Sequence, residues 1–283
     1  MNHHRLLTSF LLCALALCAA PCARATVVTT IDGNRATSEI VVENASQQQF
    51  TATLVLEFDD VDNLTVACLG ITADALEAGD IAAIQARFPN PASQSIDPLF
   101  PVRVVVEPPV PCGLNFRNDV QVELHTEALT FVSGSPYRLF KAPLGGPFAD
   151  LTAEVLPGSV RTRGRTGAFS EFVIALDGSP DPFTSADDLL DELESHIADP
   201  GVSLAAQQAL EIDFGQAFAA FRAGDYAAAS ARLAAMETRV RSLAGSGIPN
   251  EWEAGQVFPG EAGEMISFIR SAIFHLGRLA APP

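Results

Sequence analysis

Lysine is almost missing from this sequence. Of its 17 basic residues only Lys141 is a lysine, and 34 acidic residues set the formal net charge at −17. A field of that sign repels nucleic acid and anionic lipid surfaces and suits solubility and cationic partners. Rings other than phenylalanine are scarce, with one Trp and two Tyr against 18 Phe. Sugar-binding sandwiches stack pyranose rings on exposed Trp or Tyr, whereas phenylalanine suits packing. A carbohydrate-binding module is therefore the runner-up. There is no HExxH, no GxSxG, no P-loop and no dinucleotide glycine pattern. No cofactor, catalytic set or metal site is implied.

Past the first 25 residues no apolar run reaches the roughly 20 residues that span a bilayer. Those first residues read as a cleaved secretory signal. Arg5 opens a short polar start, Leu6 to Ala20 is nearly all apolar, and Ala23-Arg24-Ala25 offers small residues to a signal peptidase. Cleavage between Ala25 and Thr26 leaves a chain exported to the periplasm or the medium. It also removes Cys13, Cys18 and Cys22, leaving Cys68 and Cys112. Two isolated cysteines in an oxidising compartment predict one disulfide. Such a bond would stabilise the fold by about 4 kcal/mol through the entropy of the unfolded chain.

Two hydrophobic periods follow. Residues 26–177 alternate as strands do, as in "TSEIVVEN" and "FTATLVLEF", with turn chemistry at Asp32-Gly33-Asn34 and Gly145-Gly146-Pro147. One helix is expected over Ala73–Arg87. Many short strands predict an antiparallel β-sandwich. Pro180 and Pro182 mark a linker at 178–184. From 185 to 279 the period is helical. Ser185 with Asp188 resembles a capping box, and Ala186, Leu190, Leu193 and Ile197 share a stripe. Ala206 to Phe221, Tyr226 to Leu243 and Ala262 to Leu276 carry three more stripes, which predict a small helical bundle. The fold class is α+β in two segregated domains, expected to fold separately.

The stretch "FRAGDYAAASARLAAM" raises the question of a tetratricopeptide array. Gly224-Asp225-Tyr226 occurs once, so the period such an array needs is absent, and Gly224-Asp225 is a helix-to-helix corner. The run "AQQALEIDFGQAFAAFRAGDYAAASARLAAMETRVRSLAGSGIP" resembles the FIMAH domain, a small helical domain at the C-terminal end of secreted bacterial proteins. The shared features are the alanine-rich hairpin, the Gly-Asp-Tyr corner and a Gly-rich exit. Through "YRLFKAPLGGPFADLTAEV" and "VRTRGRTGAFSEFVIALD" the whole chain also resembles an uncharacterised family of secreted proteobacterial proteins. That resemblance implies architecture and no mechanism.

Few residues stand out for chemistry. Arg161, Arg163 and Arg165 crowd together in "RTRGRTG", with Arg161 and Arg163 on one strand face and Arg165 in the turn. They form a candidate anion-binding set. The plainer reading is an edge strand whose charges discourage pairing. Asp59 to Asn63 gathers carboxylates but lacks EF-hand spacing, so it reads as a solvated turn. The acids Asp187, Asp188, Asp191, Glu192 and Glu194 sit early in a helix, which its dipole explains. His125 is the histidine that a spatially assembled Ser-His-Asp site would use, while His196 and His275, late in helices, suit protonated imidazoles. The sequence thus reads as an exported non-enzymatic protein that binds an unknown protein or glycan or acts at the cell envelope. A carbohydrate module and an unrecognised hydrolase are the alternatives. Exported material is expected to begin at Thr26 and to titrate no free thiol when unfolded without reductant. Sequencing an intact Met1, or finding two thiols per chain, would contradict export or the bond respectively.

Overall fold

A computed structural model describes residues 24–178, 181–255 and 260–281. Residues 1–23 of the expected signal (1–25) and residues 179–180 of the expected linker lie outside the described residues. Two antiparallel sheets face each other. The first has the order β1 (Arg24–Asp32), β2 (Arg35–Glu43), β3 (Gln49–Asp62), β7 (Asn115–Thr126), β11 (Val160–Thr166), β10 (Thr152–Leu156), and β13 (Glu251–Glu253) also pairs with β7. The second has the order β4 (Ile71–Ala75), β6 (Val102–Val106), β12 (Glu171–Asp177), β8 (Tyr137–Ala142), β9 (Ala149–Asp150), with β5 (Gln94–Ser95) also beside β12. Ala25 and Thr26 lie in β1, opposite Val42 and Val41.

Alternation builds the core between the sheets. In β3, Ala52, Leu54, Leu56 and Phe58 point inward against Val120, Val122 and Leu124 of β7. β8 and β12 are buried on both faces. Leu139, Phe172 and Ile174 join the core, and Phe140, Val173 and Ala175 pack on the other side with Ile84 of α2 (Ala78–Gln85) and Phe88. The single helix expected at Ala73–Arg87 is therefore replaced by β4 and α2. A further short helix, α1 (Val66–Leu69), contains Cys68.

Cys112 ends a 3-10 turn at Val110–Cys112. The predicted bond is not formed here. Both cysteines are free, and a hydrogen bond between the thiols is the first cause that raises the Cys112 pKa.

The helices follow the predicted stripes. They are α3 (Pro182–Ile197), α4 (Leu204–Arg222), α5 (Tyr226–Leu243) and α6 (Glu261–Ala280). Ser203 and Asp225 cap α4 and α5 as the sequence suggests, each accepting a backbone N–H. α3 starts three residues before the expected Ser185. Asp181 caps it, and Pro182 takes the first helical position, where no N–H is needed. Among the described residues no helix is long and apolar enough to cross a membrane.

α6 joins the two halves. It packs on α3 and α5 and also lies across β7, β10 and β11. Its approach to the sheet is set by glycine. A Cβ on Gly263 would stand 2.3 Å from the Asn118 carbonyl oxygen, and one on Gly167 would stand 2.3 Å from the Gly260 carbonyl oxygen. Gly260 N donates to Gly167 O at 3.0 Å across the same contact. A fragment beginning at Asp181 would lose all of these partners. The contact yields a test with opposite signs. Gly215 in α4 has open space where a Cβ would go, so Gly215→Ala is expected to stabilise by about 0.5–1 kcal/mol. Gly263→Ala makes the same helix-favouring change yet is expected to destabilise by about 1–3 kcal/mol, because the backbone it meets cannot yield. Urea denaturation of the two variants measures both, and equal signs would remove the docking role of Gly263.

Candidate functional site

Where β8, β9, α3 and α6 meet, a cavity of about 390 Å³ opens, with Phe148, Phe169, Trp252 and Phe268 among its walls. Several elements hold these rings in place. β13 pairs with β7, which seats the Trp252 indole in stacked contact with Phe116, its ring centroid 5.2 Å away. Phe169 meets Trp252 edge-on at 5.1 Å. Phe148 packs on Phe88 and lies under the Arg87 guanidinium.

The polar groups of the cavity come from both halves of the chain. Lys141 Nζ of β8 donates to Glu264 Oε1 of α6 at 2.5 Å and to Thr166 Oγ1 of β11 at 2.7 Å. Gly167 N donates to the same Glu264 oxygen at 2.8 Å. Burial alone would raise the Glu264 pKa, but the charge and hydrogen bond of Lys141, with His196 and Thr166, bring it below its usual value. His196 of α3 binds Glu261 Oε2 through Nδ1 at 2.7 Å, and its ring lies 5.1 Å from Phe268. Burial would lower the His196 pKa, but Glu261, with Glu264 and Glu192, outweighs it and raises the value. Ser267 is 2% exposed, lines the cavity, and its hydroxyl has no hydrogen bond among the described residues.

A second buried cluster lies beyond the cavity. Arg278 Nη1 donates to His275 Nδ1 at 3.2 Å, so that nitrogen accepts. Nε2–H then donates to Asp150 Oδ2 at 2.8 Å. Burial opposes ionisation of Asp150, but His275, Arg138 and Thr152 outweigh it and lower the pKa. Arg138 is wholly buried, donates to the Ser135 and Tyr137 carbonyls, and has its pKa brought down to about 10, first by burial.

The residues singled out from the sequence lie elsewhere. β11 is an inner strand between β7 and β10, so the edge-strand reading of its arginines does not hold, and Arg165 lies in that strand instead of a turn. All three guanidiniums face protein carboxylates. Arg161 and Arg163 share Glu123 at 3.1 and 2.6 Å, Arg163 also reaches Glu154 at 3.1 Å, and Arg165 binds the buried Asp119. Asp59, Asp60 and Asp62 belong mostly to β3 and pair with Arg241 and Arg117. Among the described residues no group of three or more His, Cys, Asp or Glu could hold a metal ion. His125 Nε2 is in hydrogen-bond contact with Ser159 Oγ. Lys141, Glu264 and Ser267 were not singled out for chemistry. The signal that could have found the first two was a lone lysine inside the apolar run "YRLFKA" and two glutamates opening the apolar helix "EAGEMISF".

The buried pair defines a stability test. Glu264→Gln and Lys141→Met each strand a partner and are expected to cost about 3–5 kcal/mol, while the double variant Lys141→Met/Glu264→Leu costs far less than their sum. The carboxyls of Glu264 and Asp150 have lowered pKa values, so their contribution is present above the unfolded value near 4 and is lost as pH falls through the folded one. His196 has a raised pKa, so its contribution is complete below the unfolded value near 6.5 and is lost as pH rises through the folded one. Urea midpoints are thus expected to peak between roughly pH 5 and 6.5 and to flatten on the alkaline side in His196→Gln. No curated protein and no solved structure matches the chain. Over residues 11–280 it matches DUF6689, a family of unknown function, and it belongs to that family.

Proposed function

We propose that the protein is an exported, non-enzymatic binding protein that holds a small ligand between its sandwich and its helices. The observation that carries this reading is the cavity of about 390 Å³ at that junction, whose walls combine aromatic rings with polar groups such as Lys141, His196, Glu264 and Ser267. Ligand sites are typically concave, mostly apolar and of roughly 300–1,000 Å³, with a small number of placed polar groups. The signal-like first 25 residues support export, and an envelope or extracellular site of action goes with it. Oxidation of Cys68 and Cys112 belongs to the same reading, since the two thiols are near enough for Cys68 to be the first cause that raises the Cys112 pKa. The carbohydrate alternative draws less support, because Trp252 is 7% exposed and forms a wall instead of an open platform.

A hydrolase is the second reading, favoured by the His125–Ser159 contact alone. The nearby Glu123 does not orient that imidazole, since Arg161 and Arg163 hold its oxygens. Turnover in a broad hydrolase panel that His125→Ala abolishes would favour it. For the leading reading, protein purified without denaturation from exported fractions is expected to carry a small molecule in native mass spectrometry. Ser267→Phe, which fills the cavity, is expected to lose it. Wild-type protein with no adduct, whose Trp252 fluorescence is also unmoved by a small-molecule extract of the culture, would refute it.

A further inference from the structure

Next to the cavity a cleft of about 300 Å³ lies beside α3, and Phe148, Ala149, Asp150 and Glu192 line both spaces. The cleft adds Asp188 and Asp191 and no basic residue. These three α3 carboxylates have no salt bridge among the described residues, whereas Asp187 beside them pairs with Arg222 at 2.9 Å. The helix dipole does not account for them. Because α3 begins at Pro182, its first turn holds no acid, and the dipole effect fades beyond the first turn. The Asp188 pKa is raised by burial and by repulsion from Asp187, Asp191 and Glu192, as expected where no cation offsets the group.

The inner charges are already paired. Lys141 is bound by Glu264 and Thr166, His196 by Glu261, and Asp150 by His275. The net field left at the junction of the two spaces is that of Asp188, Asp191 and Glu192. Two unpartnered polar atoms lie deeper. They are the Ser267 hydroxyl and Glu264 Oε2, both on residues more than nine-tenths buried that line the cavity. An open hydroxyl and an open carboxylate oxygen beside aromatic rings would meet a ligand that carries N–H donors.

We propose that the occupant is an amphiphilic organic cation. Its apolar body fills the chamber of Phe148, Phe169, Trp252 and Phe268, and its ammonium lies at the mouth against Glu192 and Asp188. This rests on the reading of the cavity as a ligand site, and the test separates the two. Three probes share one body and differ in charge: 4-phenylbutylamine, 4-phenylbutanol and 4-phenylbutyrate. Calorimetric titration of the full chain at pH 7 and low salt is expected to rank them in that order, the amine about tenfold tighter than the alcohol. Asp188→Asn with Glu192→Gln, both on exposed positions, should lower amine affinity about tenfold and leave the alcohol unchanged. Glu192→Lys should reverse the order of amine and acid.

If the alcohol or the acid binds as well as the amine and Ser267→Phe abolishes that binding, the cation class is wrong and the ligand site stands. If the amine binds but the Asp188/Glu192 variant leaves it unchanged, the placement of the ammonium is overturned. If none of the three binds at up to about 10 mM, both readings fall.

Discussion

The ion pair between Lys141 and Glu264 fixes how the two halves of this protein meet. α6 is buried over most of its length, against helices on one side and the sheet on the other. A helix buried all round is normally apolar. This one carries Glu261, Glu264, Ser267, Ser271 and His275 inward. Each buried polar group needs a partner or costs free energy. The partners come mainly from other elements: Lys141 and Gly167 for Glu264, His196 for Glu261, Asp150 for His275. A shift of α6 along its axis would break several of these at once, so polar complementarity sets its register. The glycine contact at Gly263 and Gly167 sets its distance from the sheet.

The same logic extends to α5. Arg241 reaches across to Asp119 of β7 at 2.9 Å, where Arg165 also binds. It is further held by Glu237, which Arg270 of α6 shares. The arginines that crowd β11 therefore help to neutralise carboxylates that the fold buries, and Asp119 joins the sandwich to the bundle. Breaking one partner of such a pair costs more than the pair contributes, because a charge is left without water. The chain boundary near residue 178 separates two sequence periods, while the energetics of the structure run across it.

The fold was legible in the sequence wherever one face is buried and the other wet. The stripe Ala206, Leu210, Phe214, Ala217 and Phe221 is wholly buried in α4, and the alternation from Phe50 to Phe58 holds in β3. Legibility failed where both faces are covered. β8 and β12 lose their alternation because α2 and Phe88 pack on the outer side of the second sheet, and β4 merges with the helix expected at Ala73. α6 showed one apolar stripe, and its second buried face formed no such stripe, because Glu261, Glu264, Ser267, Ser271 and His275 occupy much of it. The cavity was illegible for the same reason. Its walls come from β8, β9, β13, α3 and α6, brought together by pairs such as Lys141–Glu264 that span more than a hundred residues.

The acids of α3 mark the difference between a local and a spatial reading. Counted from Ser185, Asp187 and Asp188 sit in the first turn, and the helix dipole explains them. Counted from Asp181, the cap that the structure shows, they fall a turn later, and the dipole leaves Asp188, Asp191 and Glu192 without a reason. Elsewhere on this acidic chain, exposed carboxylates such as Glu57, Asp60 and Glu251 stand beside arginines. A protein with so few cations places them where folding needs neutralisation. Asp188, Asp191 and Glu192 have no such partner among the described residues and border the cleft that shares Phe148 with the aromatic-walled cavity, so a cation set against them there would have to come from outside the chain.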